Sequence, residues 1–123
     1  MKALGIESSA HTFGVGIVDE HCNILANEKR AYTNSDAGIH PRLAAEFHLT
    51  NGKKVLEDAL AKANCTMKDI DVISFAQGPG LGPCLRVGGI TARYLSSRYG
   101  IPMLGVNHCV AHISIGKAKT GCK

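Results

Sequence analysis

Two histidines, His108 and His112, stand four residues apart in the run Asn107-His108-Cys109-Val110-Ala111-His112. On an α-helix that spacing puts both imidazoles on one face, within reach of a single ion. Neutral imidazole suits zinc or iron, with a metal–nitrogen distance of about 2.0–2.1 Å for zinc. Spacing alone is weak, because six histidines in 123 positions can produce such a pair by accident. The context strengthens it. The pair follows Pro102 to Val106, a short apolar segment that reads as a buried strand. Folds that alternate strands and helices place ligands beyond the carboxyl ends of such strands. Cys109 lies about 100° around the helix from His108 and reads as a small core residue outside the ion's reach. A metalloprotease needs a glutamate directly after the first histidine, to activate water. Cys109 occupies that position, which argues against proteolysis.

Two further segments have residue types suited to chemistry. Glu7-Ser8-Ser9 ends the first apolar run, and glycines follow at 14 and 16. Small hydroxyl residues at such a turn let backbone N–H groups approach a phosphate. The same residues serve equally well in a tight hairpin that needs them for its own geometry. Gly78-Pro79-Gly80-Leu81-Gly82-Pro83 is rich in turn residues but lacks the G-K-[ST] of a phosphate-binding loop and the spacing of a dinucleotide fingerprint. Arg86, just beyond it, reads either as a solvated arginine or as a group facing a phosphate or an acidic partner.

These segments need a scaffold, and hydrophobic periodicity predicts one. Residues 2–7, 12–18 and 22–32 read as three strands joined by short turns, an antiparallel meander. Asn, Ser, Asp, Gly and Pro mark a loop from Thr33 to Pro41. A long helix follows from Pro41 to about Ala63, with proline suited to its first turn. Asn51-Gly52 is a poor helix dipeptide, so either the helix breaks there or packing overrides a local cost of about 1 kcal/mol. Residues 70–76 read as a fourth strand, Cys84 to Tyr99 as a second helix capped by Gly100, and 102–106 as a fifth strand. A third helix carries both histidines and fades by Gly116. The order is βββαβαβα, with strands four and five expected parallel to strand one. The α/β fold class follows: a mixed five-stranded sheet laid out like one lobe of the actin and RNase H-like proteins.

Composition bounds the rest. Apolar residues are 45% and charged residues 20% of the chain, and tryptophan is absent, so an aliphatic globular core is expected. The apolar runs are strand-sized, and the amino terminus lacks the pattern of a signal peptide, so neither membrane nor export is expected. Five widely spaced cysteines without a C-x-x-C argue against a disulfide framework and a cysteine zinc site. A cytoplasmic location is the expectation. The net charge of +4 permits contact with RNA or nucleotides without establishing it.

Four segments in order are similar to one known family: Leu4-Gly5-Ile6-Glu7-Ser8-Ser9; Gly38-Ile39-His40-Pro41-Arg42; Gln77 to Pro83 with Leu85-Arg86-Val87; and Gly105-Val106-Asn107-His108-Cys109-Val110-Ala111-His112-Ile113. They resemble the amino-terminal part of the tRNA N6-adenosine threonylcarbamoyltransferases, in the archaeal and eukaryotic branch that forms the catalytic subunit of the KEOPS complex. The resemblance implies an actin-like, two-lobed enzyme that moves a threonylcarbamoyl group from threonylcarbamoyl-AMP to the N6 amine of the adenosine beside the tRNA anticodon.

It also implies one divalent ion, iron or zinc, with His108 and His112 as its helical ligands, and threonylcarbamoyl-AMP or an ATP-like nucleotide in the cleft. Ser9 and Asn107 match the edge of the substrate pocket. No residue is assigned a catalytic role. Implied partners are tRNA, a small dimerising KEOPS subunit on the face of the first two helices, and a kinase-like ATPase reached through a second lobe. Residues 1–116 are expected to form the first lobe and 117–123 a loose tail leading to that second lobe, whose serine-glycine-glycine strand and aspartate ligand are not in this sequence. The family usually has two histidines where this chain has Phe47 and His48, and a packing role is expected for Phe47. A non-catalytic dimerising scaffold with the same lobe is the alternative reading.

Overall fold

The computed structural model describes residues 1–33, 38 and 40–121. Ile39, much of the expected 33–41 loop and the last two residues of the expected tail therefore lie outside the described residues. Elements follow the expected order: β1 (Lys2–Glu7), β2 (Thr12–Asp19), β3 (Ile24–Ala31), α1 (Pro41–Lys62), β4 (Val72–Gly78), α2 (Gly82–Tyr99), β5 (Met103–Asn107) and α3 (His108–Thr120). A short 3-10 turn at Met67–Asp69 leads into β4. The sheet order is β3-β2-β1-β4-β5. The first three strands pair antiparallel, and β4 and β5 run parallel to β1, as expected.

Both crossovers, β3 through α1 to β4 and β4 through α2 to β5, step toward the same edge. Because such crossovers take one hand, both helices must lie on the same face. α1 packs on β2 and β3, α2 packs on β4, and the two helices touch each other. Alternation then sets the burial. Leu4 and Ile6, Phe13, Val15 and Ile17, Ala26 and Ile73 point under the helices and are buried. Ala44, Val55 and Ala59 of α1 and Cys84, Val87, Ala92 and Leu95 of α2 close the core from above.

α1 runs unbroken through Asn51-Gly52. A β-carbon at Gly52 would lie 3.2 Å from the Phe13 ring, so glycine lets the helix settle on the sheet without displacing that ring. Packing thus overrides the local helix cost. Pro41 begins the helix, and the His40 side chain accepts a hydrogen bond from the Leu43 N–H. Gly100 caps α2 in the left-handed region at φ 65°, as its position predicts. α2 starts earlier than expected, at Gly82, because Pro83 fits the first turn of a helix. α3 runs past Gly116 to Thr120, where the sequence predicts that it fades. No described helix is long and apolar enough to cross a membrane.

The opposite face of the sheet carries small residues. Gly5 pairs with Gly16 on one side and Ser74 on the other. Among the described residues only α3 crosses this face, and none of its residues is buried. The bare face and the helix above it enclose the site.

Candidate metal centre

Asn107 ends β5, and its side-chain oxygen caps α3 by accepting hydrogen bonds from the backbone N–H groups of Cys109 and Val110, at 2.9 and 3.1 Å. Asparagine suits that position because the first N–H groups of a helix have no partner within it. The cap fixes where the helix begins, and so which residues face the sheet. His108, Ala111, His112 and Ile115 then face one cleft. Cys109 is exposed, which corrects its reading as a core residue. The first turn of α3 leaves it on the solvent side. The other described cysteines are also free thiols, and burial pushes the Cys84 and Cys65 thiols up.

The cleft has a volume of about 400 Å³ and a largely apolar lining. Its floor includes Ala3, Gly5, Gly16 and Ser74 on the bare sheet face, and Glu7, His108 and His112 bring its polar groups. The Nε2 atoms of His108 and His112 are 3.1 Å apart, with the rings edge to face at 75°. Two nitrogens bound to one zinc ion at about 2.0–2.1 Å, subtending roughly 90–110°, stand about 2.9–3.4 Å apart. The observed separation fits that window. Among the described residues, no group of three or more His, Cys, Asp or Glu side chains could hold an ion. His108 and His112 could therefore offer two nitrogens to an ion, and among the described residues no third such side chain joins them.

The third polar group in the cleft is Glu7, which the sequence placed in the Glu7-Ser8-Ser9 segment without a role of its own. Glu7 Oε1 lies 3.8 Å from His108 Nδ1, on the side of the ring away from Nε2. The same oxygen accepts a 2.5 Å hydrogen bond from the Ser9 N–H. The available signal was its place at the carboxyl end of the central strand, beside the turn.

Ser9 is buried, 7% exposed, and its backbone is occupied. Its carbonyl accepts a 2.7 Å hydrogen bond from the Leu81 N–H of the glycine loop. A β-carbon at Gly80 would come within 2.7 Å of that carbonyl, so the loop's glycine lets it lie directly on the turn. Ser8 is buried more deeply. Its hydroxyl donates to the Cys84 carbonyl at 2.8 Å and accepts from the Gly88 N–H at 3.1 Å. From α1, buried His48 places Nε2 2.7 Å from the Ala10 carbonyl, which calls for an N–H on Nε2, and its Nδ1 has no partner among the described residues.

The turn is thus gripped by α1, α2 and the glycine loop. Of the two readings of its small residues, this geometry supplies the structural one directly. Phe47 packs against the rings of Tyr32 and His48, at centroid distances of 5.8 and 6.1 Å, in the packing role expected of it. Arg86 is exposed on α2, on the face of the sheet opposite the cleft floor.

Of the expected site residues, the structure brings His108 and His112 together and sets Asn107 at the head of their helix. Ser9 sits one hydrogen bond from Glu7 and is not part of the cleft wall.

Comparison with known proteins adds the family. A protein of Staphylothermus marinus named tRNA N6-adenosine threonylcarbamoyltransferase is 55% identical over 98% of this chain and 37% of its own length. A Methanosphaera stadtmanae protein named probable bifunctional tRNA threonylcarbamoyladenosine biosynthesis protein is 48% identical over 100% of this chain and 23% of its own. The chain thus spans little more than a third of such relatives at most. Among solved structures, YeaZ from Pseudomonas aeruginosa superposes with a TM-score of 0.75 at 18% identity, covering 98% of this chain and 49% of that one, which supports the actin-like and RNase H-like fold. The profile of the family described as TsaD: tRNA N6-adenosine threonylcarbamoyltransferase matches residues 21–122, and with this match across most of its length the chain belongs to that family.

Proposed function

We propose that the chain is the first lobe of a two-lobed enzyme that transfers a threonylcarbamoyl group from threonylcarbamoyl-AMP to the N6 amine of the adenosine next to the tRNA anticodon. The observation that carries this reading is the convergence of the His108 and His112 Nε2 atoms, 3.1 Å apart, over the bare face of the sheet. The names of the relatives and of the family support transfer of a threonylcarbamoyl group to N6 of a tRNA adenosine, and the AMP donor and the place beside the anticodon follow from the resemblance of the four sequence segments. In it, the amine attacks the carbamoyl carbon, a C–N bond forms, the C–O bond to AMP breaks, and AMP leaves as one amine proton is released.

Residues 1–116 form the lobe, and α3 continues it to Thr120, through the first part of the expected tail. His108 and His112 would hold one divalent ion, iron or zinc, together with ligands from the second lobe, and the ion would supply Lewis acidity toward the substrate's oxygens. The chain's own residues then act by position. The capped start of α3 holds the two imidazoles, Asn107 at its head marks the edge toward threonylcarbamoyl-AMP or an ATP-like nucleotide, and Ser9, outside the cleft wall, acts there through the Glu7 carboxylate it holds. Catalysis in such a site rests on placing the amine and the carbonyl together and on fixed electrostatics.

The outer faces of α1 and α2 expose Leu43, Leu49, Ile90 and Tyr94, which suits a small dimerising KEOPS subunit. tRNA is the macromolecular substrate, and a kinase-like ATPase joins through the second lobe. The cytoplasm is the location proposed.

The test is metal analysis. Zinc titration of the wild type is expected to show one weak site, because two protein ligands leave the ion's shell half filled. His108→Ala and His112→Ala are each expected to weaken it at least tenfold. Affinity unchanged in both variants would overturn the metal reading and favour a non-catalytic scaffold with the same lobe.

A further inference from the structure

The contact between the two histidines needs a proton, and its location is not free. At 3.1 Å the facing Nε2 atoms need one proton between them. With two, the N–H groups would collide; with none, two lone pairs would face each other. Either imidazole could supply it. Glu7 breaks the tie. Its Oε1 is 3.8 Å from His108 Nδ1, an attractive distance for an N–H at that position and a repulsive one for a lone pair. His112 has no carboxylate at its own Nδ1 among the ion pairs of the described residues.

We infer that Glu7 is the positioning residue of the chelate: it holds the His108 proton on Nδ1, leaves the Nε2 lone pair facing the cleft, and makes His112 the Nε2–H donor in the metal-free chain. The carboxylate cannot itself be a ligand of an ion on Nε2, because it approaches the far side of the ring. It takes the place that a carboxylate commonly holds behind a metal-binding histidine, where it fixes tautomer and ring orientation and raises basicity. The remaining gap must close by less than an ångström for a hydrogen bond, and Glu7, 41% exposed, has room to move. Glu7 is itself held by the Ser9 N–H, so the turn that α1, α2 and the glycine loop grip also sets the carboxylate behind His108. This gives the buried Ser8-Ser9 turn a part in the site without any contact between Ser9 and an ion.

The inference rests on the metal reading only for its purpose, and its test separates the two. Nitrogen NMR of the metal-free 123-residue chain is expected to show His108 with its proton on Nδ1 and His112 with its proton on Nε2. The opposite assignment in the wild type overturns the inference, with no variant needed. In Glu7→Gln the His108 tautomer is expected to become mixed and zinc affinity to fall about tenfold, at the lower end of what such outer partners contribute. Glu7→Asp is expected to recover part of both, because a charge is restored at a shorter reach. A purely structural Glu7 would lower the melting temperature and leave the tautomer unmoved, and that outcome overturns the inference too. Should the wild type bind no zinc, the metal reading fails, and the tautomer still decides the role of Glu7.

Discussion

At the scale of single residues, the sequence signal and the structural role diverge most at the Ser8-Ser9 turn. A small hydroxyl pair after a strand suits a phosphate as well as a hairpin. The structure places the Ser8 hydroxyl in a buried bridge between two backbone groups of α2. Ser8→Ala is expected to cost about 1–3 kcal/mol, because a buried carbonyl and N–H lose their partner. Gly88→Ala is expected to cost at least as much, since its methyl would overlap that hydroxyl and displace it. Chemical denaturation of the two variants and the double variant checks this. Their effects should fall short of additive, because both changes break the same bridge.

At the scale of elements, two predictions concern how local preference meets packing. In an isolated helix, Gly52→Ala would gain about 1 kcal/mol. In this chain the added methyl meets the ring of Phe13, which is fully buried and has to shift by a few tenths of an ångström within a packed core. The variant is expected to be destabilised by about 1 kcal/mol, read as a fall in melting temperature; a rise would show that α1 can lift from the sheet. The β2–β3 turn carries a pH dependence. The Asn23 side-chain amide, with the backbone N–H groups of Asn23 and His21, holds the Asp19 carboxyl below the usual carboxylate range. A lowered folded pKa means that its stabilisation is present above the ordinary value of about 3.9 and is lost as pH falls through the lowered one. Stability measured from about pH 5 downward should therefore fall less steeply in Asp19→Asn than in the wild type.

At the scale of the whole molecule, the site is one wall of a cleft. Its floor is the sheet face that α1 and α2 do not cover, and α3 crosses it without burying any of its own residues. Val110 and Ile113 are 55% and 61% exposed on that helix, as on an element awaiting a neighbour. In the proposed reading that neighbour is the second lobe. The 123-residue chain alone is expected to transfer no threonylcarbamoyl group to tRNA above background, whatever zinc it binds. Activity from the purified chain without another polypeptide would show that one lobe suffices.

The sequence by itself determined the order of elements, the parallel placement of β4 and β5, the Gly100 cap and the shared helical face of His108 and His112. These follow from periodicity, turn residues and covalent spacing, all of which act over a few residues. The helix boundaries at Gly82 and Thr120 and the solvent-facing Cys109 were not legible, because weak local signals there yield to where the chain packs. Glu7 lies 101 residues from His108 in sequence. Only the tertiary structure could set its carboxylate behind that ring. It joins the carboxyl end of β1 to the start of α3 through β4 and β5, and no local pattern encodes a register between strands. For the same reason only the fold could separate Ser8 as an anchor from Ser9 as the residue that holds Glu7. A hydroxyl's role depends on which backbone groups the packing brings to it.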